Sequence, residues 1–353
     1  MRRPNKRTLF FSASLIVLAG VLLPGGPPHA GAQSGAALAQ QSAPQAAPPP
    51  AVSKSEPQKK KDDDYKILKD VNLVVLHATV VDDRGKFVSD LKQDSFRVYE
   101  DKVEQKLAVF KREDIPISVG LVIDNSGSMR DKRERVNAAA LAFVEASNRE
   151  DEVFVVNFND DYYLDLDKDF TNDIVQLKEA LERIDSRGST ALYDAIIGSL
   201  DHLKKGTRDK KVLLVVTDGE DNASRVGHGN KRQGLELTVL EAQKSDAVIY
   251  SIGLLSQERG GDARKAREAL SRMAVPTGGL PFFPEGVGDV GAICAQIAHD
   301  IRNQYTLAYY PTNTKKDGTF RNVNVDVVPG RGHGKMTVRT RTGYFAQTSG
   351  AGN

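Results

Sequence analysis

Tryptophan is absent from this 353-residue chain, cysteine occurs once, and aromatic residues make up only 7% of it. A single thiol closes no internal disulfide, so an exported fold built from this sequence has to rest on core packing. That residue, Cys294, falls in the helical pattern Val290 to Arg302 and reads as a small buried apolar side chain. An excess of charge of either sign is also lacking. The formal net charge is +2, and without residues 1–32, which contain no acid and four bases, it is −2. No basic stripe of the kind nucleic acid requires follows from that balance. The longest apolar run, Leu9 to Leu23, falls short of the roughly 20 residues of a membrane span. His-Glu-x-x-His, P-loop and Gly-x-Ser-x-Gly patterns are missing, and the six histidines are scattered.

What is present begins with an export signal. Arg2, Arg3, Lys6 and Arg7 form a basic segment, the apolar run follows, and Ala30-Gly31-Ala32 supplies the small residues of a cleavage site. Residues 1–32 are therefore expected to be a signal peptide and the protein to be periplasmic or secreted. A retained segment acting as a membrane anchor is the alternative. No cysteine lies near the cleavage region, which excludes a lipid anchor there. Residues 33–64 are rich in Ala, Gln, Pro and Ser and end in Lys59-Lys60-Lys61-Asp62-Asp63-Asp64. Without apolar periodicity they are expected to be a disordered linker, and 347–353 a disordered tail.

Three blocks of pattern follow. Over 65–115, Val71 to Val81, Phe96 to Tyr99 and Gln105 to Arg112 read as strands, with turns at Asp82-Asp83-Arg84-Gly85 and Asp101-Lys102. Between 116 and 303, strands predicted at 117–123, 152–158, 211–217, 247–253 and 279–283 alternate with helices. The helices are predicted at 132–148, 173–184, 191–205, 232–245, 262–274 and 288–303, and Asp161 to Asp169 reads as an antiparallel edge strand. Such alternation implies a doubly wound α/β unit, a mostly parallel sheet with helices on both faces. Over 304–346 the strand pattern returns at Tyr305 to Tyr310, Phe320 to Val328 and Lys335 to Thr342. Neither flanking set closes a core alone, so the two are expected to pack together as one small all-β domain around the α/β insertion.

The residues with chemistry sit where strands end. Ile117 to Ile123 is a continuous apolar run, as in a strand buried on both faces, and stops at Asp124, with Ser126 and Ser128 following. A second loop, Ser186-Arg187-Gly188-Ser189-Thr190, runs into a helix. A second apolar strand, Lys211 to Thr217, ends in Asp218-Gly219. Ligands bind in the crevice at the carboxyl ends of such strands. Two carboxylates and three hydroxyls make a hard-oxygen set suited to Mg²⁺ or Mn²⁺. Taken singly each piece is an ordinary turn or helix cap; their order along three strand ends is what argues for a site.

Asp-x-Ser-x-Ser, then Gly-x-Thr before a helix, then Val-Thr-Asp-Gly resembles the von Willebrand factor A domain family over Pro116 to Asn303. The resemblance implies a metal-ion-dependent adhesion site made by Asp124, Ser126, Ser128, Thr190 and Asp218. It implies hydroxyls touching Mg²⁺ or Mn²⁺, carboxylates often acting through water, and one position left for an Asp or Glu of a partner protein. Asn125, Arg130, Glu220, Asp221 and Asn222 are expected around that face, with specificity in loops near Met129, Tyr162-Tyr163 and Asn222 to Asn230. The expected function is an exported, non-enzymatic protein-binding module of adhesion type. A cell-envelope scaffold whose metal only stabilises loops, and a metal-dependent hydrolase, are the other readings. No nucleic acid is expected as partner, and a membrane only if the signal segment stays as an anchor.

Overall fold

The computed structural model describes residues 73–348 apart from 113, 147, 184, 256–259 and 329–333. The expected signal peptide, the linker and most of the tail lie outside them; within the tail, Thr348 forms an isolated bridge with Asp317. The first strands are β1 (Val74–Asp82), β2 (Phe96–Glu100), β3 (Val103–Gln105) and β4 (Leu107–Lys111). In β1, Leu76, Ala78 and Val80 point into a core; on the opposite face Val75 is exposed and His77 half-buried, while Thr79 is buried. The turn between β2 and β3 uses Asp101 and Lys102, both at positive φ (45° and 71°). That conformation is costly outside Gly and Asn, and Asp101 is held in it by Asn322, whose backbone N and Nδ2 both donate to its Oδ1. The single strand expected over Gln105 to Arg112 is instead split at Lys106. Gln105 turns inward, where its amide brackets Thr312, donating to Oγ1 at 3.1 Å and accepting from N at 3.0 Å.

Next come β5 (Ile117–Asp124), α1 (Arg133–Glu145), β6 (Glu152–Phe158), β7 (Tyr162–Leu164), α2 (Ile174–Glu182), α3 (Leu192–Leu203) and β8 (Lys210–Thr217). The unit continues with α4 (Lys231–Lys244), β9 (Ala247–Gly253), α5 (Gly260–Ala274), β10 (Pro281–Phe282) and α6 (Val290–Arg302). Six strands lie in the order β10-β9-β8-β5-β6-β7, parallel throughout except for the β6–β7 pair. The edge strand β7 is antiparallel as expected but covers only Tyr162–Leu164. At Asp165 the chain turns in, because that carboxylate accepts a hydrogen bond from the buried Asn157 Nδ2. Along β5, Val119, Leu121 and Ile123 face α1, α2 and α6, while Val122 faces α3 and α5. Gly120 sits on the second face because a Cβ there would lie 2.4 Å from Leu213 Cδ2 and 2.5 Å from Phe154 Cζ.

The last strands are β11 (Tyr305–Tyr309), β12 (Phe320–Val327), β13 (Met336–Arg339) and β14 (Gly343–Phe345). They complete two antiparallel four-stranded sheets, β13-β1-β11-β4 and β14-β12-β2-β3. Strands from before and after the α/β unit thus pair directly, and one cluster including Leu76, Phe96, Val98, Tyr305, Leu307 and Val325 lies between them. The strand expected over Lys335 to Thr342 ends at Arg339, and β14 passes to the other sheet. Gly343 allows that crossing, since a Cβ there would meet Arg321 O at 2.3 Å. In the six-stranded sheet, β5 has β8 on one side and β6 on the other, so the direction of winding reverses beside it. The crevice at the carboxyl ends of β5 and β8 is where such a sheet opens for a ligand.

Candidate metal site at the switch point

Asp124, Ser126, Ser128 and Asp218 meet in that crevice. Asp124 is the last residue of β5 and fully buried; its Oδ1 accepts a hydrogen bond from Ser126 N at 2.8 Å. This turn through a side chain is what Asp at a strand end commonly makes, and it folds the serine loop back over the strand. Oδ2 accepts from Thr217 Oγ1 at 2.5 Å, tying the end of β5 to the end of β8. Across the crevice, Ser128 Oγ donates to Asp218 Oδ1 at 2.8 Å. With that proton committed, the 3.1 Å contact between Ser126 Oγ and Ser128 Oγ has Ser126 as its donor. Asp218 is buried, whereas Ser128 and Gly127 are exposed, so the cluster opens to solvent on the serine side.

Thr190 comes from the second loop, with its backbone fixed by Asn222. Thr190 N donates to Asn222 Oδ1 at 2.8 Å and Thr190 O accepts from Asn222 N at 3.0 Å. Gly188 takes φ 75°, and its carbonyl accepts from Gly127 N at 3.2 Å, while Arg187 N donates to Asn125 O at 2.9 Å. Thus the second loop is stitched to the serine loop through its backbone. The Thr190 hydroxyl, in a residue only 4% exposed, makes no hydrogen bond among the described residues.

Burial in this crevice pushes the Asp124 carboxyl up to about 6, the neighbouring Asp218 charge adds to the rise, and the Thr217 and Ser126 hydrogen bonds oppose it. Among the described residues Asp124 forms no ion pair; Lys132 pairs with Asp218 instead, its Nζ 2.5 Å from Oδ2. A buried carboxylate is stabilised by a positive charge brought near it. Whether a small dication suits the pocket can be judged from the oxygens. Octahedral ligands at 2.0–2.1 Å place neighbouring oxygens about 3.0 Å apart. The Ser126–Ser128 and Ser128–Asp218 spacings, 3.1 and 2.8 Å, match such edges. One carboxylate and two neutral hydroxyls in that arrangement, with Asp124 behind them, fit Mg²⁺ or Mn²⁺. Among the described residues there is no group of three or more His, Cys, Asp or Glu able to hold a metal, so the hydroxyls are essential to this donor set.

The expected surroundings need correction. Asn125 and Asp221 are buried, not part of a polar rim. Asn125 Nδ2 donates to Asn157 Oδ1 at 2.6 Å beneath the sheet end, and Asp221 Oδ1 accepts from Tyr193 N at 3.2 Å at the start of α3. Met129 is buried as well, because the short turn Gly127–Met129 tucks its apolar side chain into the core under α1. Arg130 and Asn222 are exposed and Glu220 half-buried. Beyond the expected residues, Thr217 and Lys132 join the site, while Asn222, expected on its rim, instead holds the Thr190 backbone. Thr217 carried a signal, a hydroxyl next to a strand-end carboxylate; so did Lys132, four residues beyond Ser128. A Gly-x-Gly-x-x-Gly spacing, Gly286 to Gly291, also opens α6. It is not a dinucleotide turn of a βαβ unit, since α6 leads to the antiparallel β11 of another sheet.

Against known proteins, residues 119–220 match the family model described as the von Willebrand factor type A domain, and all five site positions fall within the match. The mostly parallel sheet with flanking helices, joined to antiparallel sheets, agrees with that class of fold. An uncharacterized protein of Synechocystis sp. is 26% identical over 209 residues, covering 55% of this chain and 47% of the relative. The chain thus spans about half the length of that curated relative. Among solved structures, similarity extends to the vWF domain of the type V pili tip protein Mfa5 from Porphyromonas gingivalis. That match has 15% identity, 53% of this chain, 95% of that one and a TM-score of 0.44. The PilB minor pilin from Streptococcus sanguinis matches at 13% identity, 55% of this chain, 63% of that one and a TM-score of 0.44. An aerotolerance-related membrane protein from Bacteroides fragilis matches at 17% identity, 52% and 98% coverage and a TM-score of 0.41. No helix among the described residues is long and apolar enough to cross a membrane.

Proposed function

We propose that this chain is an exported protein-binding module of adhesion type that uses Mg²⁺ or Mn²⁺ to hold an Asp or Glu of a partner protein. Asp124, Ser126, Ser128, Thr190 and Asp218 are the proposed holders of the ion. The observation that carries the reading is the run of three oxygens, Ser126 Oγ, Ser128 Oγ and Asp218 Oδ1, at octahedral-edge spacings beside a buried carboxylate. The family match over these positions supports it. Bound there, a dication with few charged ligands stays electrophilic and gains from an incoming carboxylate. Thr217 and Ser126 N orient Asp124, Asn222 fixes the Thr190 backbone, and exposed Ser128 leaves the solvent side open for a partner.

A binding role is favoured over catalysis by the partners of the serines. Ser126 and Ser128 bond to each other and Ser128 to Asp218, a carboxylate already paired with Lys132, and among the described residues no histidine contacts either hydroxyl. Export is proposed from the order of basic, apolar and small residues in 1–32, which lie outside the described structure. Isothermal titration of Mn²⁺ into the wild-type protein and Asp124→Ala tests the site. Heat from the wild type alone is expected; none, or equal heat from both, overturns the reading. Capture of cell-envelope proteins with and without EDTA then separates an adhesion role from a scaffold whose metal only steadies loops. Only the first needs a partner that EDTA releases.

A further inference from the structure

We propose that Lys132 is a tethered cation that competes with the divalent ion for Asp218, so that this residue sets the ion concentration at which the site fills. The inference rests on the metal reading above. It begins from the position of one ammonium: Lys132 Nζ lies 2.5 Å from Asp218 Oδ2, the oxygen of Asp218 that Ser128 does not contact. Its side chain is 11% exposed and that of Asp218 1%, so the pair is largely withdrawn from solvent. Weak pairing is the rule for exposed partners; this one is screened far less.

The local fold holds the lysine there. Lys132 closes the turn after the serine loop, its N donating to Met129 O at 2.9 Å, and its carbonyl accepts from Val136 N at 3.1 Å in the first turn of α1. The start of that helix is thus fixed beside the site, and the four-carbon stem spans the remaining distance. A lysine ammonium is a compact, mobile point charge on a flexible stem, able to leave as a guanidinium fork could not. The ammonium pairs with Asp218, and among the described residues no ion pair reaches Asp124. Without a dication the lysine offsets the Asp218 charge, so that this buried carboxylate is not left uncompensated. A dication against Asp218 brings two positive charges to the spot where one already sits, and like charges this close repel strongly. Entry of the ion therefore requires the lysine to withdraw into solvent, and the cost of breaking its ion pair is subtracted from the binding energy of the ion.

Mn²⁺ titrated into the full-length chain by calorimetry, for wild type, Lys132→Met and Arg130→Gln, tests this. Lys132→Met should bind Mn²⁺ about tenfold tighter or better, since the cost of breaking a largely buried ion pair is no longer subtracted. Arg130→Gln removes an exposed cation that does not touch Asp218, so it should stay within about twofold of wild type. In EDTA, Lys132→Met should melt below wild type, and saturating Mn²⁺ should raise its melting temperature by more. Lys132→Gln, which keeps a polar stem, replaces the Met variant if that one fails to fold. Mn²⁺ binding by the variant alone supports the proposal in its strongest form. Equal affinity in wild type and variant overturns it and leaves the metal site standing. Binding by neither overturns the metal reading and the competition together.

Discussion

Thr79 Oγ1 donates a 2.7 Å hydrogen bond to Asp300 Oδ1 across 221 positions of sequence. The same carboxylate accepts from Tyr250 OH at 2.9 Å and pairs with Arg339. One buried side chain in α6 therefore joins β1 and β13 of an antiparallel sheet to β9 of the parallel one. Removing one partner of a buried, bonded ion pair costs about 3–5 kcal/mol because the remaining groups lose their counterpart. Asp300→Ala should lose about that much in urea denaturation. A loss under about 1 kcal/mol would mean that the junction contributes little to stability.

The sheet pairings predict how fragments behave. β1 and β4 pair with β11, and β2 pairs with β12. Within 65–115 the one interstrand ladder between named strands is the short β2–β3 hairpin. A fragment of 65–115 should show no cooperative unfolding, whereas 116–303 should unfold with a sharp transition. A cooperative melt of the smaller fragment would refute a composite β domain.

Gly188 offers a test of the loop that carries Thr190. It combines φ 75° with a position where a Cβ would fall 2.2 Å from Asp160 Oδ2. Gly188→Ala should cost about 1–3 kcal/mol from strain and crowding. Because the Gly188 carbonyl accepts from Gly127 N, Mn²⁺ affinity should fall with it. Stability lost with affinity intact would show that the two loops are not coupled.

Asp124 predicts a pH dependence with a definite sign. Its folded-state pKa, about 6, lies above the ordinary value of 3.8, so the folded protein without metal holds this proton more tightly than the unfolded chain. Its contribution to stability is therefore fully present below the unfolded value and is lost as pH rises through about 6. The loss is of order 3 kcal/mol. Asp124→Asn should remove that decline between pH 4 and 6, read from denaturation curves with EDTA present. Mn²⁺ affinity should move the other way, strengthening across the same window as the carboxylate ionises. An affinity flat from pH 5 to 7 would place Asp124 outside the metal's reach.

Much of the fold is legible in the sequence. Strands buried on both faces show as unbroken apolar runs, so β5, β6, β8 and β9 could be placed within a residue or two, and the helices between them followed from their longer period. Asp124, Ser126, Ser128 and Asp218 were legible as a group because strand ends in a parallel sheet all open on one side. Short elements failed where a side chain overruled the local pattern. Gln105 broke a strand to reach Thr312, Asp165 cut β7 short, and Gly343 sent the chain across to the second sheet.

The sequence by itself determined the alternation of apolar segments, the residue types at the strand ends and the near balance of the two charge signs. Those depend on periods of two and 3.6 residues and on local turn chemistry. Only the tertiary structure decided that Asn125 and Asp221 are buried, that Thr217 grips Asp124, that Asn222 holds the Thr190 backbone, and that the Lys132 ammonium lies on Asp218. Each of these depends on which strand lies beside which, and β5 and β8 become neighbours only when the winding reverses between them. Local propensity reports which face of a segment is apolar; it carries no information about the distant group that will meet its polar atoms.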